Sequence, residues 1–375
     1  MMNTPSQTRA GTARAPASIA NDGAARPGLR ADTPTAPATN PRVAATAAPI
    51  YLGIDVAKAE LVMAVRDNGR TSQPAAYANT PAGIAKLMRR VAKDAGDRPV
   101  VACLEATGTY GEAAATALHH AGHTVAVVNP AMIRDFMRSL LRRNKTDAAD
   151  AAAIAEFAER MNPRPWQPRA PEREALRQMV CARDHLVQQR GDNQRRLKSG
   201  ACRHTAALWR AQIAFINRQI AQVEADIAAH IQAHPPLAEQ MRLLTSIPGI
   251  SNILGAAALA TIDFQRFDNA RQVCAFIGTC PSRHQSGPSA GSTRINKQGH
   301  SLLRRLAYMG ALSAMRYNPH IKQCAARWQS PERKGNGRAL TPKQTVGAAM
   351  NKLARQMFGV LKSGQPYQPC QPIAA

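Results

Sequence analysis

Acidic side chains stand at four points in the first half of the chain where they could act together on a metal ion. Asp55 lies within the apolar run "YLGIDV", and Glu105 ends the apolar run "VVACLE". Asp147 and Asp150 are three residues apart in "NKTDAADAAAIAEFAER", so a helix would place both on one face, about one turn apart. Like charges at this spacing repel each other, and a bound cation is the usual reason to keep them together.

The four carboxylates predict a site for Mg²⁺ or Mn²⁺ if the strands and the helix converge. Carboxylate oxygens are hard ligands that suit both ions. Such ions can stabilise the attacking and leaving oxygens of a phosphodiester during in-line displacement. In a second interpretation, Thr146 and Asp147 only begin a helix. Asp55 would then belong to a hairpin turn and Glu105 would be an ordinary strand-end acid. The residues alone leave both interpretations open.

The net charge indicates a polyanionic partner. Lys and Arg number 49 against 24 Asp and Glu, which gives a formal charge of +25 at pH 7. Nucleic acid is the expected polyanion, because each phosphate that a basic side chain neutralises releases a counterion. Residues 289–343 hold Glu332 as their single acid among many basic side chains, so this stretch is the predicted DNA or RNA contact surface. The side chains expected to position backbone phosphates are Arg294, Lys297, Arg304 and Arg305.

The sequence carries no sign of a membrane-spanning or a disulfide-bonded protein. No apolar run approaches the roughly 20 residues that span a bilayer. The seven cysteines are scattered and never spaced as CxxC, so neither a zinc site nor a disulfide framework is predicted. These features favour a reducing, cytoplasmic compartment.

The ordered part of the chain is expected to begin at residue 50. Residues 1–49 are rich in Ala, Thr, Pro, Gly and Arg. They cannot bury enough apolar surface to offset chain entropy and are predicted to be disordered. Over residues 50–162, two apolar runs around a turn predict a β-hairpin, and strands then alternate with helical patterns. This alternation predicts an α/β domain with a mixed or parallel sheet.

A helical region is predicted beyond the Pro-rich segment "MNPRPWQPRAPERE". Residues 163–240 are expected to form a linker and two long amphipathic helices, in an antiparallel or an intermolecular coiled coil. Residues 241–362 form a predicted mainly α domain, and a tail follows over residues 363–375. In this domain, the "IPGI" turn favours either a helix-hairpin-helix that contacts DNA phosphate or an ordinary helical hairpin.

Three blocks of the chain together resemble the DEDD-type insertion-sequence transposases of the IS one-ten group, which includes the Piv-type invertases. These blocks are "YLGIDVAKAELVMAV", "CLEATGTYG" and "NKTDAADAAAIAEFA". A further block, "FIGTCPSRHQSGPSAGSTRINKQGHSLLRRLAYMGALSAMR", resembles the family's stretch with a Ser-Gly pair, here Ser286 and Gly287. The likeness spans about residues 50–360.

The resemblance implies a fold and a metal site. The first domain would be RNase H-like, similar to the RuvC Holliday-junction resolvases. A coiled coil and a mainly α second transposase domain would follow it. The family's Mg²⁺-binding tetrad of Asp, Glu, Asp and Asp falls on Asp55, Glu105, Asp147 and Asp150.

The resemblance implies a serine nucleophile as well. Ser286 would attack DNA and form a covalent phosphoserine intermediate, in an active site composed within one chain or between subunits. A neighbouring glycine permits a tight loop, but a serine hydroxyl needs a base or a metal ion to become a good nucleophile. The residues alone leave other serines of this stretch as candidates, namely Ser282, Ser289 and Ser292.

A DNA transposase or recombinase is therefore expected, acting on element ends and target DNA as a homo-oligomer, a dimer or a tetramer. The resemblance also implies a structured guide RNA, the bridge RNA, as a partner. Two alternatives stay open. One is a metal-dependent junction resolvase or nuclease that uses water, and the other is a non-enzymatic basic nucleic-acid-binding protein in which the acids only cap helices.

Overall fold

The computed structural model describes residues 48–106, 108–140, 146–282, 294–295, 299–331 and 339–369. The chain divides into two compact units, Met1–Pro165 and Trp166–Ala375. The division falls inside the Pro-rich segment that the sequence predicts as a linker. The extension over residues 1–47 lies outside the described residues, so its disorder stays a prediction.

A mixed sheet forms the centre of the first unit. Its strands are β1 (Ile50–Val56), β2 (Glu60–Asp67), β3 (Arg70–Thr71), β4 (Ala75–Ala78), β5 (Val100–Glu105) and β6 (Thr124–Val128). Among the described residues their order is β3-β2-β1-β5-β6, with β4 paired to β2. β1 pairs antiparallel with β2 and parallel with β5, and β6 extends the parallel part. The predicted hairpin and the predicted α/β domain with a mixed sheet are confirmed.

The turn after β2 shows how local sequence fixes the hairpin. Asn68 and Gly69 have φ angles of 47° and 77°, and Asp67 pairs with Arg70 across them. Positive φ at both central residues is the geometry of a type I′ turn, which matches the twist of antiparallel strands. Asn and Gly are the residues that adopt it at least cost.

Helices accompany the sheet of the first unit. They are α1 (Pro81–Ala95), α2 (Glu112–His120), α3 (Pro130–Ser139) and α4 (Asp147–Met161). Thr80 caps α1, because its hydroxyl accepts a 3.2 Å hydrogen bond from the backbone N–H of Gly83. The predicted alternation of strands and helices in this unit is confirmed.

Helix α4 lies directly on β1, at a position where only glycine leaves room. Leu52 and Ile54 are fully buried on one face of β1, and the residues between them face the other side. There a Cβ atom on Gly53 would lie 2.1 Å from the carbonyl oxygen of Ala151 and 2.2 Å from the backbone nitrogen of Ala155. The two backbones therefore pack against each other without an intervening side chain.

The second unit is mainly helical, as predicted. Its elements are α5 (Pro171–Lys198), α6 (Arg203–Ala233), α7 (Pro235–Thr245), α8 (Asn252–Thr261), a 3-10 turn (Phe264–Arg266), α9 (Ala270–Ile277), β7 (Pro281–Ser282), β8 (Arg294–Ile295), α10 (Ser301–Tyr317), α11 (Pro319–Gln329) and α12 (Pro342–Ser363). None of the helices in the described ranges combines the length and apolar character needed to cross a membrane.

The two long helices α5 and α6 pair with each other in antiparallel orientation. Arg183 contacts Glu224 at 2.7 Å, and Arg190 donates a hydrogen bond of 3.2 Å to Asn217. Residues later in α5 thus contact residues earlier in α6, so the two helices run in opposite directions. The predicted long amphipathic helices are confirmed as a hairpin within the chain, and a coiled coil stays a prediction.

The "IPGI" segment forms a tight turn between α7 and α8. A Cβ atom on Gly249 would lie 2.6 Å from the Cβ of Ala314 in α10, and its φ of 108° is one that side chains avoid. The amide of Asn318 donates a 3.3 Å hydrogen bond to the carbonyl oxygen of Pro248. The turn is therefore packed against the core of its own unit. Contact of this turn with DNA stays a prediction.

The packing of α4 on β1 gives the first prediction. Gly53→Ala forces α4 away from the strand, and overpacking of this kind costs about 1–3 kcal/mol of unfolding free energy. Urea denaturation followed by circular dichroism measures this loss.

Gly359→Ala is the matched control, because Gly359 lies in α12 with nothing within 4 Å of its Cβ position. There, the same substitution should leave stability unchanged or raise it by up to about 1 kcal/mol, since Ala favours a helix. Equal stabilities for the two variants would contradict the packing argument.

Candidate active site

Asp55 and Glu105 stand side by side at the carboxyl ends of two parallel strands. Ile54 of β1 pairs with Leu104 of β5, so the next residue along each strand brings Asp55 beside Glu105. Both residues are partly exposed. The carboxyl ends of parallel strands are where α/β sheets bind ligands.

Both acids lie on the face of the sheet that α4 covers. Gly53 contacts α4, and Asp55 is two residues further along β1 on the same face. Cys103 of β5 belongs to the core cluster that contains Ile154 of α4, and Glu105 is again two residues further on. The alternation of the two strands therefore presents both acids to one side.

The direction of α4 brings its first turn to the same edge. Near the end of α4, Glu159 accepts a 2.5 Å hydrogen bond from Nε of Arg66. Arg66 is the register partner of Tyr51, at the beginning of β1. Ala151, near the start of α4, lies on Gly53. Helix α4 therefore runs antiparallel to β1 and starts at the carboxyl end of that strand.

The first turn of α4 carries the other two acids. The hydroxyl of Thr146 caps the helix by accepting a 3.2 Å hydrogen bond from the backbone N–H of Ala149. Asp147 is exposed, whereas Asp150 is half-buried and its Oδ1 is shielded from solvent. The threonine makes the cap, so the helix start does not need two acids at this spacing. The cap made by Thr146 is therefore compatible with a ligand-binding role for Asp147 and Asp150.

The donor set suits a hard divalent cation. Asp55, Glu105, Asp147 and Asp150 offer only carboxylate oxygens, from two strand ends and one helix start at the same edge of the sheet. In the described ranges, no three His, Cys, Asp or Glu side chains lie close enough together to hold a metal ion. The carboxylate chemistry of the four residues and their placement at one edge suit a divalent cation, and their convergence around one ion is a proposal.

Asn79 ties together the two loops that follow the acidic strand ends. Its side-chain amide donates 3.0 Å hydrogen bonds to the carbonyl oxygen of Ala57, after β1, and to that of Tyr110, after β5. Its own backbone N–H donates to Ala59 at 2.8 Å. Sequence reasoning did not single out this residue, because both partners are backbone groups distant along the chain.

Ser286 lies outside the described residues, and so do Ser289 and Ser292. The chain on either side of this segment is paired: Pro281 and Ser282 of β7 form an antiparallel ladder with Ile295 and Arg294 of β8. The described residues therefore bring residues 282 and 294 together as neighbours.

The basic residues predicted to contact phosphate have different surroundings. Arg304 donates to the carbonyl oxygens of Gly299, at 3.0 Å, and Ile277, at 3.4 Å, so it fastens the end of α9. Arg305 is half-exposed and forms an ion pair with Asp184 of α5. Arg294 is the first residue of β8, and Lys297 lies outside the described residues.

His300 shows how charge acts inside this region. Its Nδ1 accepts a hydrogen bond of 3.4 Å from the backbone N–H of Leu303 and so caps α10. Burial, and then the nearby charges of Arg169 and Arg304, lower the pKa of His300. The lowered pKa favours the neutral ring, which the acceptor role of Nδ1 requires.

Models of two protein families match the chain. Residues 52–200 match the model DEDD_Tnp_IS110, described as a transposase. Residues 241–326 match the model of the transposase IS116/IS110/IS902 family. The first match contains all four predicted acids, and the second contains the segment with Ser286.

Curated relatives extend over most of the chain. The pilin gene-inverting protein of Moraxella bovis is 30% identical over 324 residues, which cover 84% of this chain and 97% of that protein. The transposase for insertion sequence element IS1111A of Coxiella burnetii is 26% identical over 273 residues, covering 64% of this chain and 72% of that one. Among solved structures, the T. thermophilus RuvC in complex with a Holliday junction substrate matches 32% of this chain and 100% of its own, with 18% identity and a TM-score of 0.26.

The contacts of Arg304 and Arg305 give a matched pair of predictions. Arg304→Ala leaves two carbonyl oxygens without their donor and should lower the unfolding free energy by about 1–3 kcal/mol. Arg305→Ala removes a half-exposed ion pair and should cost less than about 1 kcal/mol. Thermal melting of both variants measures the difference. A melting temperature of Arg304→Ala equal to that of the wild type would contradict the structural role of Arg304.

Proposed function

The chain belongs to the IS116/IS110/IS902 transposase family, and on that premise we propose that it is a recombinase that cuts and rejoins DNA strands at a sheet edge that carries four acids. The observation that carries the proposal is the direction of α4. Because α4 runs antiparallel to β1, its first turn reaches the strand end that carries Asp55, beside Glu105.

The proposed cofactor is Mg²⁺ or Mn²⁺, held by Asp55, Glu105, Asp147 and Asp150. When bound, such an ion offsets the charge of the phosphate oxygens and favours the ionised form of a coordinated hydroxyl. The four carboxylates carry up to four negative charges at one edge, and without a cation they would repel both each other and DNA. This repulsion supports the assignment of the acids to a metal site.

Ser286 is the proposed nucleophile. Its Oγ attacks the phosphorus of a DNA phosphodiester, the bond from phosphorus to one deoxyribose oxygen breaks, and that oxygen takes up a proton as the serine hydroxyl loses one. In the rejoining step, a deoxyribose hydroxyl of another strand displaces the serine oxygen. The phosphoserine bond conserves the energy of the broken phosphodiester, so no further reactant is needed.

A structured guide RNA and a homo-oligomer, a dimer or a tetramer, complete the proposal. The excess of 49 basic over 24 acidic residues supports binding of more than one nucleic-acid strand. The acids and Ser286 belong to different units of the chain, so the active site is composed either within one chain or between subunits. Nucleic acid that co-purifies with the protein and resists DNase but not RNase would support the guide.

The central test asks whether the protein becomes covalently attached to DNA. The wild type, incubated with Mg²⁺ and DNA that carries the element ends, should give a protein–DNA adduct on a denaturing gel. Ser286→Ala should abolish the adduct and lower strand cleavage by about 10³-fold or more, as for other covalent nucleophiles. Ser289→Ala, a neighbouring serine, serves as the control and should retain both.

Retained cleavage by Ser286→Ala would instead indicate a metal-dependent nuclease that uses water. Asp150→Asn tests the metal site by a separate route. It should abolish cleavage and also remove the rise in melting temperature that Mg²⁺ gives the wild type. If Asp150→Asn kept full activity and the same Mg²⁺ response, the acids would act only at helix and strand ends.

Asn79 should act as a positioning residue for the acids. Asn79→Ala releases the loops after β1 and β5, so about 10-fold more Mg²⁺ should be needed for half-maximal cleavage and for the melting shift. Ser72→Ala is the control, because Ser72 accepts a single 3.1 Å hydrogen bond from Val65 N–H, near the other end of β1. An equal Mg²⁺ requirement in both variants would refute the positioning role.

A further inference from the structure

The outer half of the α5–α6 pair is built differently from its base. We call residues 185–223 the hairpin end. At the base, Leu176, Val180, Ile227 and Ile231 belong to the main hydrophobic core of the second unit. In the hairpin end, the buried residues Asn193, Ala206, Ile216 and Ile220 stand outside that core cluster. The hairpin end therefore buries its apolar residues mainly between its own two helices.

Charge also changes between the base and the hairpin end. At the base, ion pairs join Arg177 to Glu174 and Arg183 to Glu224. The hairpin end has Asp192 as its single acid. Its basic residues are Arg190, Arg195, Arg196, Lys198, Arg203, Arg210 and Arg218. A helical face exposed only to water normally mixes both signs of charge. The excess of basic residues in the hairpin end therefore favours the binding of an external anion.

Several of these basic side chains are exposed and have no acidic partner. Lys198, Arg203 and Arg210 are exposed, and none forms an ion pair among the described residues. Positions seven residues apart lie on the same side of a helix, about 10 Å from each other along its axis. Arg203 and Arg210 therefore share one side of α6.

Aromatic side chains lie among these charges. The guanidinium of Arg196 lies 5.0 Å from the ring centre of Trp209, and that of Arg218 lies 5.9 Å from the ring centre of Phe215. Such contacts hold a guanidinium in place while leaving its N–H groups available to an anion. Phe215 itself is half-exposed.

We propose that the hairpin end binds the sugar-phosphate backbone of duplex DNA, as a site separate from the acids of the first unit. The proposal rests on the proposed function for the choice of DNA as the anion. Phosphates repeat along a duplex, so a row of cations along a helix can neutralise several at once. Such binding needs no particular base sequence, because phosphate contacts position a protein without reading bases.

The test removes two exposed charges that form no ion pair among the described residues. Arg203→Ala combined with Arg210→Ala, in the full-length chain, should weaken binding to random-sequence duplex DNA by about 10- to 100-fold near 0.1 M salt. The slope of log affinity against log salt should fall by about 2, because each lost phosphate contact removes about 0.9. Fluorescence anisotropy at several salt concentrations, in the absence of Mg²⁺, measures both quantities.

The control removes the same two charges elsewhere. Arg89→Ala combined with Lys93→Ala acts on exposed basic residues of α1 and should leave affinity and slope close to the wild type. Equal losses in the two double variants would overturn the proposal, because net charge would then explain the binding. A loss of affinity for duplex RNA alone, with DNA affinity unchanged, would also overturn the proposal. Unchanged DNA affinity with a changed oligomeric state in analytical ultracentrifugation would overturn it as well, because the hairpin end would then bind a second copy of the chain.

The outcome is independent of the proposed chemistry. The anisotropy experiment contains no Mg²⁺ and detects no cleavage, so it succeeds or fails whatever Ser286 does. If Ser286→Ala kept the adduct and the cleavage while the Arg203 and Arg210 variant lost DNA affinity, the chain would still bind DNA through the hairpin end. If the reverse occurred, the recombinase proposal would stand and the DNA contact would lie elsewhere.

Discussion

The contact between Gly53 and helix α4 is the constraint on which the position of the acids at the sheet edge depends. At this point the backbones of a strand and a helix touch, and a Cβ atom added to Gly53 would lie only 2.1–2.2 Å from atoms of the helix. A contact this close fixes how far α4 lies from the sheet, and the hydrogen bond from Arg66 to Glu159 at 2.5 Å fixes its direction. Acids on three different elements therefore reach one edge through packing, although their mutual repulsion opposes it.

Much of this arrangement could be predicted from local sequence. The Asn68–Gly69 turn, the apolar runs of β1 and β2 and the Thr146 cap act over a few residues, so their signals are visible in the sequence. The direction of α4 could not be predicted, because it depends on contacts between residues about 100 positions apart. The role of Asn79 was hidden for the same reason, since its partners are backbone carbonyls that carry no sequence signal.

The basic residues show why composition alone overestimates a nucleic-acid surface. Arg173 donates at 2.6 Å to the carbonyl oxygen of Leu259, and Arg304 donates at 3.0 Å to that of Gly299. These guanidinium groups satisfy backbone acceptors in the second unit, so part of the excess charge supports the fold. Sequence reasoning assigned the phosphate contacts to the stretch with the fewest acids, and it did not separate structural arginines such as Arg304 from exposed ones such as Arg203.

The proposed separation of DNA binding from chemistry agrees with the electrostatics of the two surfaces. An edge with four carboxylates repels a phosphate backbone until a divalent cation offsets their charge, so it cannot also provide the main affinity for DNA. A basic hairpin end gains affinity from counterion release, which depends on salt and not on Mg²⁺. On the two proposals, DNA would be held in the absence of the cofactor, and strand cleavage would wait for the metal ion. With the two proposed functions on different units of one chain, each could be tuned by mutation without the loss of the other.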